Sequence, residues 1–162
     1  MGNEELSLAN GDKYKGDLVD GKKHGKGRYY YSDGSSYEGD FRDDKKCGKG
    51  RYKFASGNEY VGSFKDDVMD GKGVFTFPNG NKYDGEFRNG KMEGKGTFTT
   101  KTGIKYTGGF VNGDFEGEGT LKEGKTKYVG QFKGGKKNGH GVYTQADGKK
   151  IEGNWRDDQF VS

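Results

Sequence analysis

The chain has one cysteine, one proline and two histidines in 162 residues. With Cys47 alone, no internal disulfide can form, which points to a cytoplasmic setting over a secreted one. No apolar run approaches the ~20 residues that a membrane-spanning helix needs, and no signal-peptide core opens the chain. The start Met1-Gly2 would invite myristoylation, but that pattern wants Ser or Thr at the sixth position, where this chain has Leu6. Aliphatic residues are scarce: Leu, Ile and Val number 4, 2 and 8. Such a chain reads as disordered when its net charge is high. Here the net charge is only +4, from 29 basic and 25 acidic residues, and this balance also argues against a nucleic-acid partner.

What the chain does hold is glycine, 33 residues, and aromatic rings, with 11 Tyr and 11 Phe. Each ring buries about 150–250 Å² if packed, so aromatics can replace the missing aliphatic core. Their order along the chain decides the matter. A unit beginning Tyr-x-Gly recurs at Tyr14, Tyr37, Tyr60, Tyr83, Tyr106 and Tyr128, with a degenerate start at Ile151; the spacings are 23, 23, 23, 23, 22 and 23. A Gly-x-Gly follows in every unit: Gly25/Gly27, Gly48/Gly50, Gly71/Gly73, Gly94/Gly96, Gly117/Gly119 and Gly139/Gly141.

Within a unit the alternation has period two, as in Tyr60, Gly62 and Phe64, then Phe75 and Phe77, which predicts strands. Turn chemistry at Asp33-Gly34, Ser56-Gly57, Asn79-Gly80, Thr102-Gly103 and Asp147-Gly148 separates the runs. Pro78, beside one of these turns, costs no ladder hydrogen bond. Leu6 and Leu8 match a second strand whose first half is missing. Ile151, Gly153 and Trp155 match a first strand with no partner after it. The expectation is an all-β, elongated, single-layer antiparallel array of about fourteen strands, ~60 Å long at ~4.8 Å per strand. Residues 4–160 form one array, with tails at 1–3 and 161–162.

The segments YEGDFRDDKKCGKGRYKFASGNE (Tyr37–Glu59) and YDGEFRNGKMEGKGTFTTKTGIK (Tyr83–Lys105) resemble units of the MORN-repeat family, and the resemblance covers residues 4–160. It implies a twisted single-layer sheet with a groove along one face. It also implies non-catalytic work: protein docking, cytoskeletal, ciliary or flagellar scaffolding, and in some members contact with acidic phospholipids.

Formal matches to chemistry fail on context. Gly119–Thr126 reads GTLKEGKT, the phosphate-loop pattern, but it falls on a strand and a turn with no helix to aim N–H groups at phosphate. His24, Cys47, Asp70 and Glu93 occupy one position of successive units. Units are ~10 Å apart, whereas metal ligands must lie within ~2.0–2.3 Å of one ion. No Ser/His/Asp set has assignable roles. Neither an enzyme nor a bound cofactor is expected.

Parity places a binding surface instead. Counting each unit's Tyr as position 0, positions 0, 2, 4, 9, 11, 13, 15 and 17 share a face. Glycines at 2, 11 and 13 read as the floor of a trough. Positions 0 and 4 read as packing, while 9, 15 and 17 serve either packing or docking. On this face a partner's extended or helical segment is expected to meet Phe54, Met69, Phe75, Phe77, Met92, Phe98 and Phe115, since aromatic and Met side chains make good anchors. The alternative is contact with acidic phospholipids (phosphoinositides) through Lys22, Lys23, Lys45, Lys46, Lys136 and Lys137. Unpaired backbone edges at Leu6–Leu8 and Ile151–Trp155 also allow a homodimer.

Overall fold

The computed structural model describes residues 4–162. The expected tail at 1–3, with its Met1-Gly2 start, lies outside them. The described residues form fifteen strands and no helix: β1 Glu4–Ser7, β2 Lys13–Val19, β3 Lys22–Tyr30, β4 Ser36–Arg42, β5 Lys45–Lys53, β6 Glu59–Lys65, β7 Val68–Thr76, β8 Lys82–Arg88, β9 Lys91–Thr99, β10 Lys105–Val111, β11 Asp114–Glu123, β12 Thr126–Lys133, β13 Lys136–Thr144, β14 Lys150–Arg156 and β15 Gln159–Phe160. The described residues divide into two compact units, one ending at Pro78 and the other beginning at Asn79. In each, the order of strands in the antiparallel sheet is their order in the chain. The all-β hairpin array read from the sequence is therefore present.

The hairpin turn inside each repeat is not among the dipeptides singled out above. It lies at Asp20-Gly21, Asp43-Asp44, Asp66-Asp67, Asn89-Gly90, Asn112-Gly113, Gly134-Gly135 and Asp157-Asp158, where both residues have φ > 0 in all the pairs described, as at Asp43 (48°) and Asp44 (69°). These are two-residue turns whose twist matches the flanking strands. Asp and Asn tolerate the left-handed region better than other side chains. The Asp33-Gly34 kind of turn instead joins one repeat to the next.

The parity holds. Tyr60 pairs with Phe75, Gly62 with Gly73, and Phe64 with Met69, a register shift that leaves Ser63 facing Asp70, Gly71 and Lys72. The same bulge recurs in the hairpins of all six full repeats, for example between Gly16 and Leu18 and between Gly130 and Phe132. At each bulge the unit's Tyr hydroxyl donates to the carbonyl that the shift leaves open: Tyr14 to Asp17, Tyr60 to Ser63, Tyr83 to Glu86, at 2.7 Å each. The ring reaches that carbonyl by lying across the Gly62/Gly73 pair; a methyl on Gly73 would come within 2.5 Å of Tyr60 Cζ and Oη. The glycines are thus required by a ring of their own repeat.

This corrects the trough. Its glycine floor is roofed by Tyr14, Tyr37, Tyr60, Tyr83, Tyr106 and Tyr128, each at most 1% exposed. Position-4 rings close the core edge-on. In the first unit Phe41 meets Tyr14 and Tyr37 at 5.4 and 5.0 Å, and Phe64 meets Tyr37 and Tyr60 at 5.1 Å. In the second, Phe110 sits 4.8 Å from Tyr83 and 5.2 Å from Tyr106, and Trp155 ends the series 5.5 Å from Tyr128. Edge-to-face pairs of this kind contribute about 0.5–1.5 kcal/mol each beyond area burial.

The C-terminal edge also differs from expectation. Trp155 and Arg156 of β14 pair with Phe160 and Gln159 of β15, and Asn154 N–H donates to the Ser162 carbonyl at 2.9 Å. The β14 edge is covered over Asn154–Arg156. Residues 161–162 join it and do not form a free tail. At the other end β1 pairs with β2 through Leu6 and Tyr14.

Candidate functional site

Position 9 lies directly over the core tyrosine, and the sequence fills it in two ways. Lys46 Nζ sits 5.7, 5.7 and 5.5 Å from the ring centres of Tyr31, Tyr37 and Tyr52, and donates to the Tyr31 hydroxyl at 3.0 Å. Lys23 is caged by Tyr14, Tyr29 and Phe41, and Lys137 by Tyr128, Tyr143 and Trp155, at 5.2–5.9 Å. A cation over an aromatic face is held by the ring quadrupole, more strongly where water is excluded. The Lys23 and Lys46 side chains are only 19% and 13% exposed. Of the six lysines proposed for lipid contact, these three are spent inside the fold. Lys22, Lys45 and Lys136 remain exposed.

Where position 9 is apolar, it packs in the same place. Phe115 stacks on Tyr106 at 3.8 Å with the rings 4° from parallel, and meets Phe110 and Phe132 edge-on. Met92 pairs across the hairpin with Phe87, and its carbonyl accepts the Gly113 N–H at 3.1 Å. Met69 pairs likewise with Phe64. All three are half-buried packing residues.

Positions 15 and 17 behave differently. In the first unit they form a continuous file of rings: Tyr29–Tyr31 4.5 Å, Tyr31–Tyr52 5.6 Å, Tyr52–Phe54 4.6 Å, Phe54–Phe75 5.7 Å and Phe75–Phe77 4.9 Å. The five from Tyr31 to Phe77 are partly exposed, their rings tilted by 43–57° to one another, so an aromatic strip reaches solvent across three repeats. The structure thus brings Phe54, Phe75 and Phe77 together. Phe98 stands in the second unit, 6.2 Å from Phe115. There position 17 becomes Thr100, whose hydroxyl is taken up by Ile104 N–H and Thr102.

Sequence reasoning passed over Tyr31 and Tyr52 as members of the strip, although they occupy the positions 17 and 15 that it left open to docking. The signal was the hydroxyls of the tyrosines at these positions, Tyr29 included, which link the file of rings to its surroundings. Tyr29 donates to Asp12 at 2.6 Å, and Tyr52 lies 3.3 Å from the Ser35 hydroxyl. The Tyr29 bond holds the Asp12 carboxyl below its ordinary range. Burial, then the nearby Tyr52 and carboxylates, pushes the Tyr31 hydroxyl well above its usual range. In the third repeat Phe75 stands where Tyr29 and Tyr52 stand, and the equivalent acceptor, Asn58 Oδ1, is buried without a partner.

No group of three or more His, Cys, Asp or Glu side chains converges among the described residues. His140 pairs with Glu152 at 3.2 Å. The GTLKEGKT segment is the end of β11 and a turn in which Thr126 Oγ1 donates to the Glu123 carbonyl at 2.7 Å. No helix follows it.

Tandem hairpins whose core tyrosine lies on its own glycine pair define a β-hairpin repeat protein. The chain belongs to the MORN-repeat family, which matches residues 14–36, 37–59, 60–82, 83–105, 106–122 and 128–150. No curated protein sequence matches it. Among solved structures, the TCP domain of SAS-4 (dCPAP) of Drosophila melanogaster, in complex with a Proline Rich Motif of Ana2 (dSTIL), is similar with a TM-score of 0.56 at 17% identity, over 94% of this chain and 89% of that one. The G-box domain of the microcephaly protein CPAP, described with a role in centriole elongation, has a TM-score of 0.55 at 13% identity, over 94% and 86%. At these identities the likeness is one of fold.

Proposed function

We propose that this chain is a non-enzymatic scaffold that docks a segment of a partner protein on the strip Tyr31, Tyr52, Phe54, Phe75 and Phe77. The observation that carries the reading is the strip itself: five rings in a continuous file, each partly exposed, on the face of the sheet that also buries the core tyrosines. A contiguous apolar surface of this kind marks an interaction site more often than chance exposure. Aromatic anchors dominate such interfaces. The related folds support the reading, since the SAS-4 domain is solved with a peptide motif of its partner. The centriole role described for the CPAP domain supports a cytoskeletal setting, such as a cilium or flagellum. Met69, Met92, Phe98 and Phe115 then act as the packing that holds each repeat, not as anchors.

The test compares wild type with Phe54→Ser/Phe77→Ser as baits in a quantitative pull-down, after matching their β-sheet circular dichroism. Partners recovered by wild type and lost by the variant support docking on the strip. Equal recovery sinks it.

The phospholipid reading now rests on Lys22, Lys45 and Lys136, with Asp43 and Asp44 beside Lys45. Charges so interleaved attract an anionic surface weakly, at most about 1 kcal/mol per lysine. Retention on acidic liposomes at low salt, lost on Lys22→Glu/Lys45→Glu/Lys136→Glu, would bring that reading forward.

A further inference from the structure

We infer that the face of the sheet opposite the aromatic strip carries a second docking site, which takes a side-chain carboxylate from an acidic segment of a partner protein at Ser63. The site is independent of the strip and holds or fails without it.

Three observations carry it. The first comes from setting the repeats side by side at the bulge. In the second and fourth repeats the position-12 N–H is taken by the position-3 carboxylate: Lys49 N–H donates to Asp40 Oδ2 at 3.1 Å, and Lys95 N–H to Glu86 Oε2 at 3.0 Å. In the first and sixth, Asp17 Oδ2 and Gln131 Oε1 lie where a methyl on Gly25 or Gly139 would meet them. In the fifth, position 3 is Gly109, and the Glu116 carbonyl oxygen lies where its methyl would go. The third repeat has Ser63, whose side chain is shorter than any of these acids. Among the described residues no hydrogen bond takes the Lys72 N–H in place of the missing carboxylate. A donor left in this way gains from a charged acceptor supplied from outside.

The second is the cation beside it. Asp40 is also ion-paired with Lys26, the position-12 lysine of the preceding repeat. Burial works against the Asp40 charge, yet Lys26 and the Lys49 N–H hold its carboxyl below the usual range. One repeat on, Lys49 takes the part of Lys26, and its Nζ donates to Ser63 Oγ at 2.9 Å. The ammonium and amide that keep a carboxylate ionised at Asp40 are therefore repeated at Ser63 without the carboxylate. Asp70 stands across the bulge from Ser63. An acid there does not exclude a second one, because the fourth repeat holds Glu93 and Glu86 together, both close enough to raise the Tyr83 hydroxyl.

The third is the surface around it. On β4 the outward residues at positions 1 and 3 are Glu38 and Asp40, ion-paired with Arg28 and Lys26. On β6 the same places hold Val61 and Ser63. Exposed Lys49, Arg51 and Lys72 on the neighbouring strands thus face a strand whose one outward acid, Glu59, lies at its end, 3.8 Å from Arg51. Val61 is 40% exposed and directly opposite both Arg51 and Val74. An apolar pair beside a basic patch suits a peptide that carries acidic and aliphatic side chains, and charge complementarity of this kind sets which partner is accepted.

The experiment titrates the full chain with a blocked synthetic peptide rich in glutamate and valine, with its glutamine counterpart, and with sodium acetate. Binding is read by heteronuclear NMR of the backbone amides, where the Lys72 N–H reports a carboxylate directly. The glutamate peptide is expected to move the Lys72 and Ser63 amides most, and the glutamine peptide to bind about tenfold more weakly. Ser63→Asp supplies the carboxylate from within the chain, as Asp40 does, and should weaken peptide binding about tenfold with the circular dichroism unchanged. Lys49→Gln should weaken it about fivefold. Phe54→Ser/Phe77→Ser should leave it unchanged, so the two surfaces are tested apart. Equal binding of the two peptides, an affinity indifferent to Ser63→Asp and Lys49→Gln, or the same Lys72 shift from acetate at equal carboxylate concentration overturns the inference. Retention on phosphatidylserine vesicles that Ser63→Asp abolishes, with no peptide bound, overturns it in favour of a membrane.

Discussion

Asp67 grips the backbone of Lys46 on both sides: its Oδ1 accepts the Lys46 N–H at 2.8 Å, and its own N–H donates to the Lys46 carbonyl at 3.0 Å. The same carboxylate lies 3.6 Å from Lys46 Nζ. Asp44 grips the backbone of Lys23 in the same two ways, and Asp158 that of Lys137. Where the earlier repeat carries Met92 or Phe115 at this position, the later turn carries Gly113 or Gly135, which keeps only the backbone donor. Turn acid and caged lysine are thus chosen together, 21 residues apart.

This pairing predicts an order of costs. Asp67→Ala loses a charge-assisted hydrogen bond and leaves a Cβ at φ +73°, and should lower stability by about 2 kcal/mol. Asp67→Gly relieves the backbone and should cost about half as much. Urea unfolding midpoints of the two variants check it; Gly costing more than Ala would refute the assignment.

Steric demand differs sharply between glycines. Gly73→Ala drives a methyl into the Tyr60 ring and should cost about 3 kcal/mol or prevent folding. Gly103, at φ +95° with open space around it, meets only backbone strain, and its Ala variant should cost about 1 kcal/mol. Thermal melts of the two proteins side by side test this.

Phe75→Tyr is expected to stabilise the protein by about 1 kcal/mol, because its hydroxyl would reach the buried Asn58 Oδ1 as Tyr29 reaches Asp12. In the Asn58→Ala background the gain should vanish. A gain that persists would mean that some other contact of the new hydroxyl is responsible.

Alkali should destabilise the protein through its buried tyrosines. Burial pushes the hydroxyls of Tyr14, Tyr60, Tyr83 and Tyr106 up to about 12. Their folded pKa is raised, so their contribution is complete below the ordinary value near 10 and is lost as pH rises from there through 12. Phenolate absorbance and β-sheet circular dichroism should therefore change together in that window. On the acid side Asp12, Asp40 and Asp44 are held below the usual carboxylate range, Asp12 by Tyr29 and Asp44 by the Lys23 N–H. Their contribution is present above about pH 4 and fades as pH falls below it.

The repeat period, the strand parity and the burial of the tyrosines were all legible, because a 23-residue spacing and a period of two are written directly in the chain. Three things were not. Alternation tells which face a glycine occupies, but not that a ring two residues earlier folds over it, so the floor of the trough looked open. Lys46 and Lys137 looked like free basic ends because charge is read from sequence without its neighbours. The strand Gln159–Phe160 was too short to announce itself.

Local rules that act within one hairpin, namely period, turn-forming Asp and Asn, and the spacing of Tyr from its glycines, were enough for the sequence by itself to determine the class of fold. Tertiary structure alone decided which side chains close over the core tyrosines and which rings stay partly exposed. The physical reason is that position 9 of one repeat is filled or left by groups from the next, as Phe41 and Asp44 close over Lys23. Only once those contacts are made do Tyr31, Tyr52, Phe54, Phe75 and Phe77 stand apart as rings half-open to solvent.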